Sequence, residues 1–146
     1  MRKMYLSAPL PFVGQKRMFA KEFMKVLEQY PDGTLFVDLF GGSGLLSHIA
    51  KSLKPHSTVI YNDFDNYRFR MKHIPQTNQL LADIREMVGN SVPRHKIIKG
   101  ELRERILSRI EQEENTTGYV DFITLSSSIL FSMKYKLSVQ DMRKEA

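Results

Sequence analysis

Two aspartates flank a glycine turn in this chain, and that arrangement is the one best suited to chemistry. Leu35-Phe36-Val37 is a short apolar run ending in Asp38; Phe40 follows, then Gly41-Gly42-Ser43-Gly44. Thr58-Val59-Ile60-Tyr61 is a second such run and ends in Asn62-Asp63. Short apolar runs bounded by turn residues read as strands. From Leu45 to Lys54 the apolar residues recur at helical spacing, at Leu45, Leu46, Ile49, Ala50 and Leu53. A strand, a glycine loop and a helix form the opening unit of a nucleotide-binding α/β sheet. The glycines permit positive φ and let the backbone approach a ligand with no Cβ in between. The helix that the loop opens offers unpaired N–H groups to whatever sits there.

The acids indicate which nucleotide the loop suits. Gly42-x-Gly44-x-x-Ser47 is a dinucleotide fingerprint with its third glycine missing. Asp38 stands where a pyrophosphate would pass, and its charge would repel one. It suits a ligand carrying a cationic amino group and a sulfonium, namely S-adenosylmethionine. Asp63, at the end of the second run, can accept from both ribose hydroxyls. Hydrogen bonds to a charged group of that kind contribute about 1.5–3 kcal/mol. Phe64 follows and can lie against an adenine face. The plain structural alternatives are an exposed loop acid for Asp38 and a helix N-cap for Asp63, since Asp is a preferred cap. The two acids together, spaced about one glycine turn, favour a cofactor site.

Other elements must hold this unit in place. Pro9 and Pro11 disfavour helix in an extended entry segment from Met1 to Gln15. A helix then carries Phe19, Phe23, Val26, Leu27 and Tyr30 on one face, and Pro31-Asp32-Gly33 stops it. His48 and His56 lack partners at metal-ligand spacing and read as solvated or capping residues. From Phe64 the pattern is helical to about His73, with Arg68, Arg70 and Lys72 on a basic side; Pro75 breaks it, and helix resumes from Gln76 to Val88. Gly89 to Pro93 reads as a linker. Lys99 to Glu114 is amphipathic, with Leu102, Ile106 and Ile110 on one face and Glu101 four residues before Arg105. Tyr119 to Met133 is apolar and serine-rich, and its pattern does not separate helix from strand. Ser138 suits the cap of a last helix, Val139 to Glu145.

Composition sets bounds. The chain has 146 residues, 42% hydrophobic and 26% charged, which suits one globular domain. Without cysteine there is no disulfide framework, thiolate nucleophile or thiolate metal site. No apolar stretch approaches the ~20 residues of a membrane span. Arg2 and Lys3 are not followed by the apolar core of a signal peptide, so a cytoplasmic location is expected. The net charge of +6 permits nucleic-acid binding without requiring it.

Three stretches, in order, resemble the Dam-like class of DNA adenine-N6 methyltransferases. Pro11-Phe12-Val13-Gly14-Gln15-Lys16-Arg17 is similar to that family's N-terminal cofactor motif. Phe36-Val37-Asp38-Leu39-Phe40-Gly41-Gly42-Ser43-Gly44 is similar to its glycine-loop motif, with aspartate and leucine where glutamate and proline are common. Asn62-Asp63-Phe64-Asp65 is similar to its ribose-binding motif. The resemblance implies a Rossmann-like S-adenosylmethionine-dependent methyltransferase fold and methyl transfer to an adenine amino group flipped out of DNA. It implies cofactor contacts from Phe12, Gly14 and Lys16, with Lys16 near the carboxylate end of the cofactor. Asp38, Phe40, Gly41, Gly42 and Gly44 would hold the methionine part, and Asp63 and Phe64 the ribose and adenine.

The family's catalytic segment pairs two prolines before an aromatic. The six prolines here, at 9, 11, 31, 55, 75 and 93, are never adjacent. In the family that segment follows the target-recognition region, so no catalytic residue is expected in this chain. The expected architecture is an α/β cofactor-binding part over residues 1–90 with an incomplete sheet. A mainly helical segment over 91–146 would begin a DNA-recognition region. An open sheet edge exposes backbone groups and apolar surface, so a homodimer, a complementary chain or a longer product is expected, and a phage or bacterial source would fit. The rivals are a non-catalytic nucleic-acid-binding or interaction module derived from such an enzyme, in which the basic stretches Tyr67–Lys72 and Arg94–Lys99 would matter most, and a dinucleotide-dependent Rossmann enzyme. The cofactor half says nothing direct about the acceptor, so a methyltransferase acting on RNA or protein is a further alternative.

Overall fold

The computed structural model describes residues 4–14, 16–93, 96–129 and 135–144. The chain divides into two compact units, Met1–Met71 and Lys72–Ala146. The division falls before the expected boundary at residue 90, because the long helix preceding that boundary packs with the helices that follow it.

In the first unit, the entry segment passes through a 3-10 turn, Lys16–Phe19, into α1, Ala20–Glu28. Strand β1, Leu35–Asp38, leads through the glycine loop into α2, Leu45–Leu53, and then to β2, Thr58–Tyr61. The strands pair in parallel, with Leu35 opposite Thr58 and Asp38 opposite Tyr61. They form a two-stranded sheet among the described residues, where a Rossmann-like fold would have a larger one. A short helix α3, Tyr67–Lys72, follows.

The core of this unit lies between α1, α2 and one face of the sheet. Ala20, Leu27, Leu45, Ile49 and Ala50 are buried, and Phe23, Met24, Phe36, Leu46 and Val59 pack on them. The expected face of α1 is therefore rotated. Ala20, Phe23, Met24 and Leu27 face inward, while Phe19 and Val26 are exposed. The sequence pattern could not separate Met24 from Val26, because both lie on the margin of the apolar stripe. Asp32 fastens the turn after α1: its carboxylate accepts from the His56 N–H, and Gly33 N–H donates to the buried Ser57 hydroxyl.

In the second unit, α4, Ile74–Val88, starts at the proline expected to break the chain. Pro75 sits in the first turn, where its missing N–H costs nothing. Helix α5 runs Gly100–Thr117, α6 Phe122–Ile129 and α7 Val139–Lys144. The undecided stretch from Tyr119 is thus helical over α6, and its remainder, 130–133, lies outside the described residues. Ser138 caps α7 by accepting from the Asp141 N–H at 3.1 Å, as expected. The core comprises Leu80, Leu81 and Ile84 of α4, Ile106, Leu107 and Ile110 of α5, Leu125 of α6, and Val139 and Met142 of α7. Arg109 of α5 ties the helices together, pairing with Asp83 of α4 at 2.7 Å and with Glu113 at 2.9 Å. Arg94, in the expected basic stretch Arg94–Lys99, lies outside the described residues. No helix among the described residues is long and apolar enough to cross a membrane.

Candidate cofactor site

The glycine loop is built for close approach. Gly42 and Gly44 have φ of +51° and +71°, a region that side chains rarely adopt. Gly44 N–H donates to Gly41 C=O at 2.8 Å, closing the turn, and Gly44 C=O accepts from His48 N–H as α2 begins. Gly41 is required for a different reason: a β-carbon there would fall 2.1 Å from the Tyr61 ring. At Gly42 it would fall 2.9 Å from the Phe12 ring and 3.6 Å from the Lys16 amino nitrogen. The loop is therefore enclosed by the entry segment and by the end of β2.

Seven of the ten expected site residues share one cavity of about 430 Å3. Phe12, Gly14 and Lys16 contribute from the entry segment, and Phe40, Gly41 and Gly42 from the glycine loop. Phe64, 88% exposed, contributes from the segment after β2. Pockets for small molecules and cofactors span about 300–1,000 Å3. The Lys16 ammonium donates to the Phe40 carbonyl, which pins the entry segment to the loop. The Phe12 ring meets Tyr67 edge-on, at 5.7 Å between centroids.

The other three expected residues stand off this cavity wall. Asp38 accepts from the Ser47 hydroxyl at 2.7 Å, which steadies its carboxylate at the mouth of β1. Gly44 lines a neighbouring, largely apolar cavity of about 650 Å3, together with Tyr5, His48, Tyr61, Tyr67 and Arg68. Asp63 is engaged locally. Its Oδ1 accepts from Tyr67 N–H at 2.7 Å and from the Tyr61 hydroxyl at 3.0 Å, and its Oδ2 accepts from Arg68 N–H at 3.0 Å. That is the capping arrangement at the start of α3, and it leaves Oδ2 with one further acceptor position.

Three residues to which the sequence gave no individual role stand around the same loop and cavity. Tyr61 covers the loop, and its single hydroxyl proton lies between Gly42 C=O at 2.6 Å, the shorter contact, and Asp63 Oδ1 at 3.0 Å. Burial pushes its phenol well above the ordinary range, and Asp63, Asp38 and Asp65 add to the effect. Asn62 lines the cavity and donates through Nδ2 to Leu39 C=O at 2.9 Å, joining the ends of the two strands. Asp65 is an exposed acid on the cavity wall. The Asp63-x-Asp65 spacing was the available signal: one acid can cap a helix while the other faces a ligand. Among the described residues, no group of three His, Cys, Asp or Glu is placed to hold a metal ion.

No family model matches the chain, and no solved structure matches it. The chain is 44% identical over 143 residues to a protein of Haemophilus influenzae named "Putative methyltransferase". The match covers 95% of this chain and 47% of that protein, so the chain spans about half the length of the curated relative it matches. In general terms, then, the comparison supports a methyltransferase relationship for this chain.

Proposed function

We propose that this chain is the cofactor-binding part of an S-adenosylmethionine-dependent methyltransferase that acts on adenine N6 in DNA. The observation that carries the reading is the meeting of three separate stretches, around Phe12, Gly42 and Phe64, on one cavity. The residues there suit the cofactor. Glycine-loop backbone approaches closely, Lys16 can meet a carboxylate, and Asp38, held beside the loop by the Ser47 hydroxyl, adds negative charge that favours a cationic ammonium and sulfonium. Asp65 takes the ribose hydroxyls together with the remaining acceptor position of Asp63, and Phe64 offers its ring to the adenine. When bound, the cofactor supplies an electrophilic methyl group on sulfur. This chain's part is to bind and orient it, since the chain has no two adjacent prolines of the kind that hold the target amino group in the enzymes it resembles.

DNA as the acceptor rests on the resemblance, and the net charge of +6 is compatible with it. A cytoplasmic setting follows from the same reading. Calorimetric titration of S-adenosylmethionine into the purified chain tests it, with Gly42→Val alongside. Saturable binding is expected for the wild type, with at least tenfold weaker binding in Gly42→Val, because a side chain there meets Phe12 and Lys16. Absence of binding by a folded wild-type chain would remove the cofactor-binding role and leave a DNA-binding or interaction module.

A further inference from the structure

The entry segment reaches the glycine loop with no regular structure of its own to hold it, since residues 4–14 form neither helix nor strand. Such a segment is placed by what its backbone bonds to, because buried N–H and C=O groups must be paired. Leu10 is buried, and both of its backbone groups go to one side chain of α3, 57 residues away. Its N–H donates to the Tyr67 hydroxyl oxygen at 3.0 Å, and that hydroxyl donates back to Leu10 C=O at 3.3 Å. One turn further along α3, the Arg70 guanidinium donates to Pro11 C=O at 2.9 Å. Tyr67 and Arg70 are 4% and 8% exposed, so these bonds form largely out of water, where they are stronger. The Phe12 ring stands edge-on to Tyr67, and the Arg70 guanidinium lies 5.4 Å from the centre of the Tyr67 ring. Leu10, Pro11 and Phe12 are thus all held by two side chains of α3, both within the first unit. A few residues on, Lys16 donates to Phe40 C=O, and Phe12 and Lys16 stand against Gly42.

We infer that Tyr67, supported by Arg70, is a positioning residue for cofactor binding, a role that rests on the cofactor reading above. It touches no ligand atom in that role. It fixes where the entry segment runs, and so where Phe12 and Lys16 meet the part of the glycine loop that takes the methionine end of the ligand. The nucleoside end is met by Phe64 and Asp65, which follow β2 directly and do not depend on the entry segment. Loss of the Tyr67 hydroxyl therefore acts on one half of the ligand. The helix that carries Tyr67 is itself started by the Asp63 carboxylate, which accepts from the Tyr67 and Arg68 N–H groups. The end of β2 thereby sets α3, and α3 sets the entry segment. Tyr5 N–H adds an outlying tie to α2, donating to His48 Nε2 at 3.0 Å, but that bond is exposed and does not replace the buried one.

The test compares the wild-type chain with Tyr67→Phe, which keeps the ring and removes only the hydroxyl. Each is titrated calorimetrically with S-adenosylmethionine and with methylthioadenosine, which keeps adenine, ribose and sulfur but lacks the carboxylate and ammonium. Tyr67→Phe is expected to weaken S-adenosylmethionine at least tenfold and methylthioadenosine less than twofold. In a Lys16→Met background the same change is expected to cost S-adenosylmethionine less than threefold, because two residues acting through one contact are not additive. Amide exchange at Leu10 is expected to quicken at least tenfold in Tyr67→Phe while Ile49 of α2 is unchanged, which separates release of the segment from loss of the core. If Tyr67→Phe does not fold, Arg70→Gln takes its place in each comparison. Equal weakening of both ligands, full additivity with Lys16→Met, or unchanged affinity in a folded variant would each overturn the positioning role while leaving the cofactor site. A folded wild-type chain that binds neither ligand would instead remove the cofactor site, and the positioning role with it.

Discussion

On the proposed reading, Asp63 and Asp65 divide two tasks, helix capping and ribose binding, between two neighbouring acids. The Asp63 carboxylate holds the first N–H groups of α3 and the Tyr61 hydroxyl, so its removal is felt in the fold. Asp63 precedes Asn66, the residue that flanks α3, yet it satisfies the first helical N–H groups as an N-cap does; loss of such a cap costs about 0.5–2 kcal/mol, and Asp63→Ala is expected to lower stability by that amount and to weaken cofactor binding as a consequence. Asp65 is exposed on the cavity wall, and exposed substitutions usually change stability by within about 0.5 kcal/mol. Asp65→Asn is expected to leave the urea midpoint unchanged while weakening S-adenosylmethionine at least fivefold. Equal loss of affinity and stability in both variants would contradict this division of labour. Tyr61 was missed because it reads as the last strand residue. Only the fold shows its ring lying on Gly41 and its hydroxyl reaching Gly42.

At the level of elements, β1, β2 and α2 follow from apolar spacing and appear where the pattern puts them. The inward face of α1 and the state of the stretch after Tyr119 do not, since a stripe's margins and a uniformly apolar run carry no directional signal. The α4–α5 pair makes an electrostatic prediction. A hydrogen bond from Gln79, followed by those from Arg109, holds the Asp83 carboxyl below its ordinary value of 3.8. A carboxylate with a depressed folded-state pKa contributes stability above its unfolded pKa, and that contribution fades as pH falls through the folded value. The second unit is therefore expected to lose stability as pH drops below about 4, and Arg109→Gln is expected to flatten that dependence. Chemical denaturation of both proteins at pH 3 and pH 6 measures it; identical slopes would mean that the pairing is fully screened.

For the whole molecule, two units with separate cores imply that a ligand on one need not stabilise the other. At a hundredfold excess over Kd, a ligand that binds only the folded form contributes about 2.7 kcal/mol, which is roughly a hundredfold in opening. S-adenosylmethionine is thus expected to slow amide exchange about a hundredfold at Ile49 and Ala50 of α2, with little change at Ile106 and Ile110 of α5. Protection of α5 equal to that of α2 would show that the two units open together, and no protection of α2 would place the ligand elsewhere.

By itself the sequence determined the strand–loop–helix unit, the second strand, the Ser138 cap and the two acids flanking a glycine turn. These are local properties: apolar periodicity, positive-φ glycines and capping chemistry act over a few residues. Only the tertiary structure decided that Phe12 and Lys16, distant in the chain from Gly42, close over it, that the Asp63 carboxylate bonds the first N–H groups of α3 while Asp65 stays exposed on the cavity wall, and that Leu35, Val37 and Ile60 lie exposed on one face of the sheet. Those outcomes depend on which side chains fill the space between elements, and spacing along the chain does not specify that.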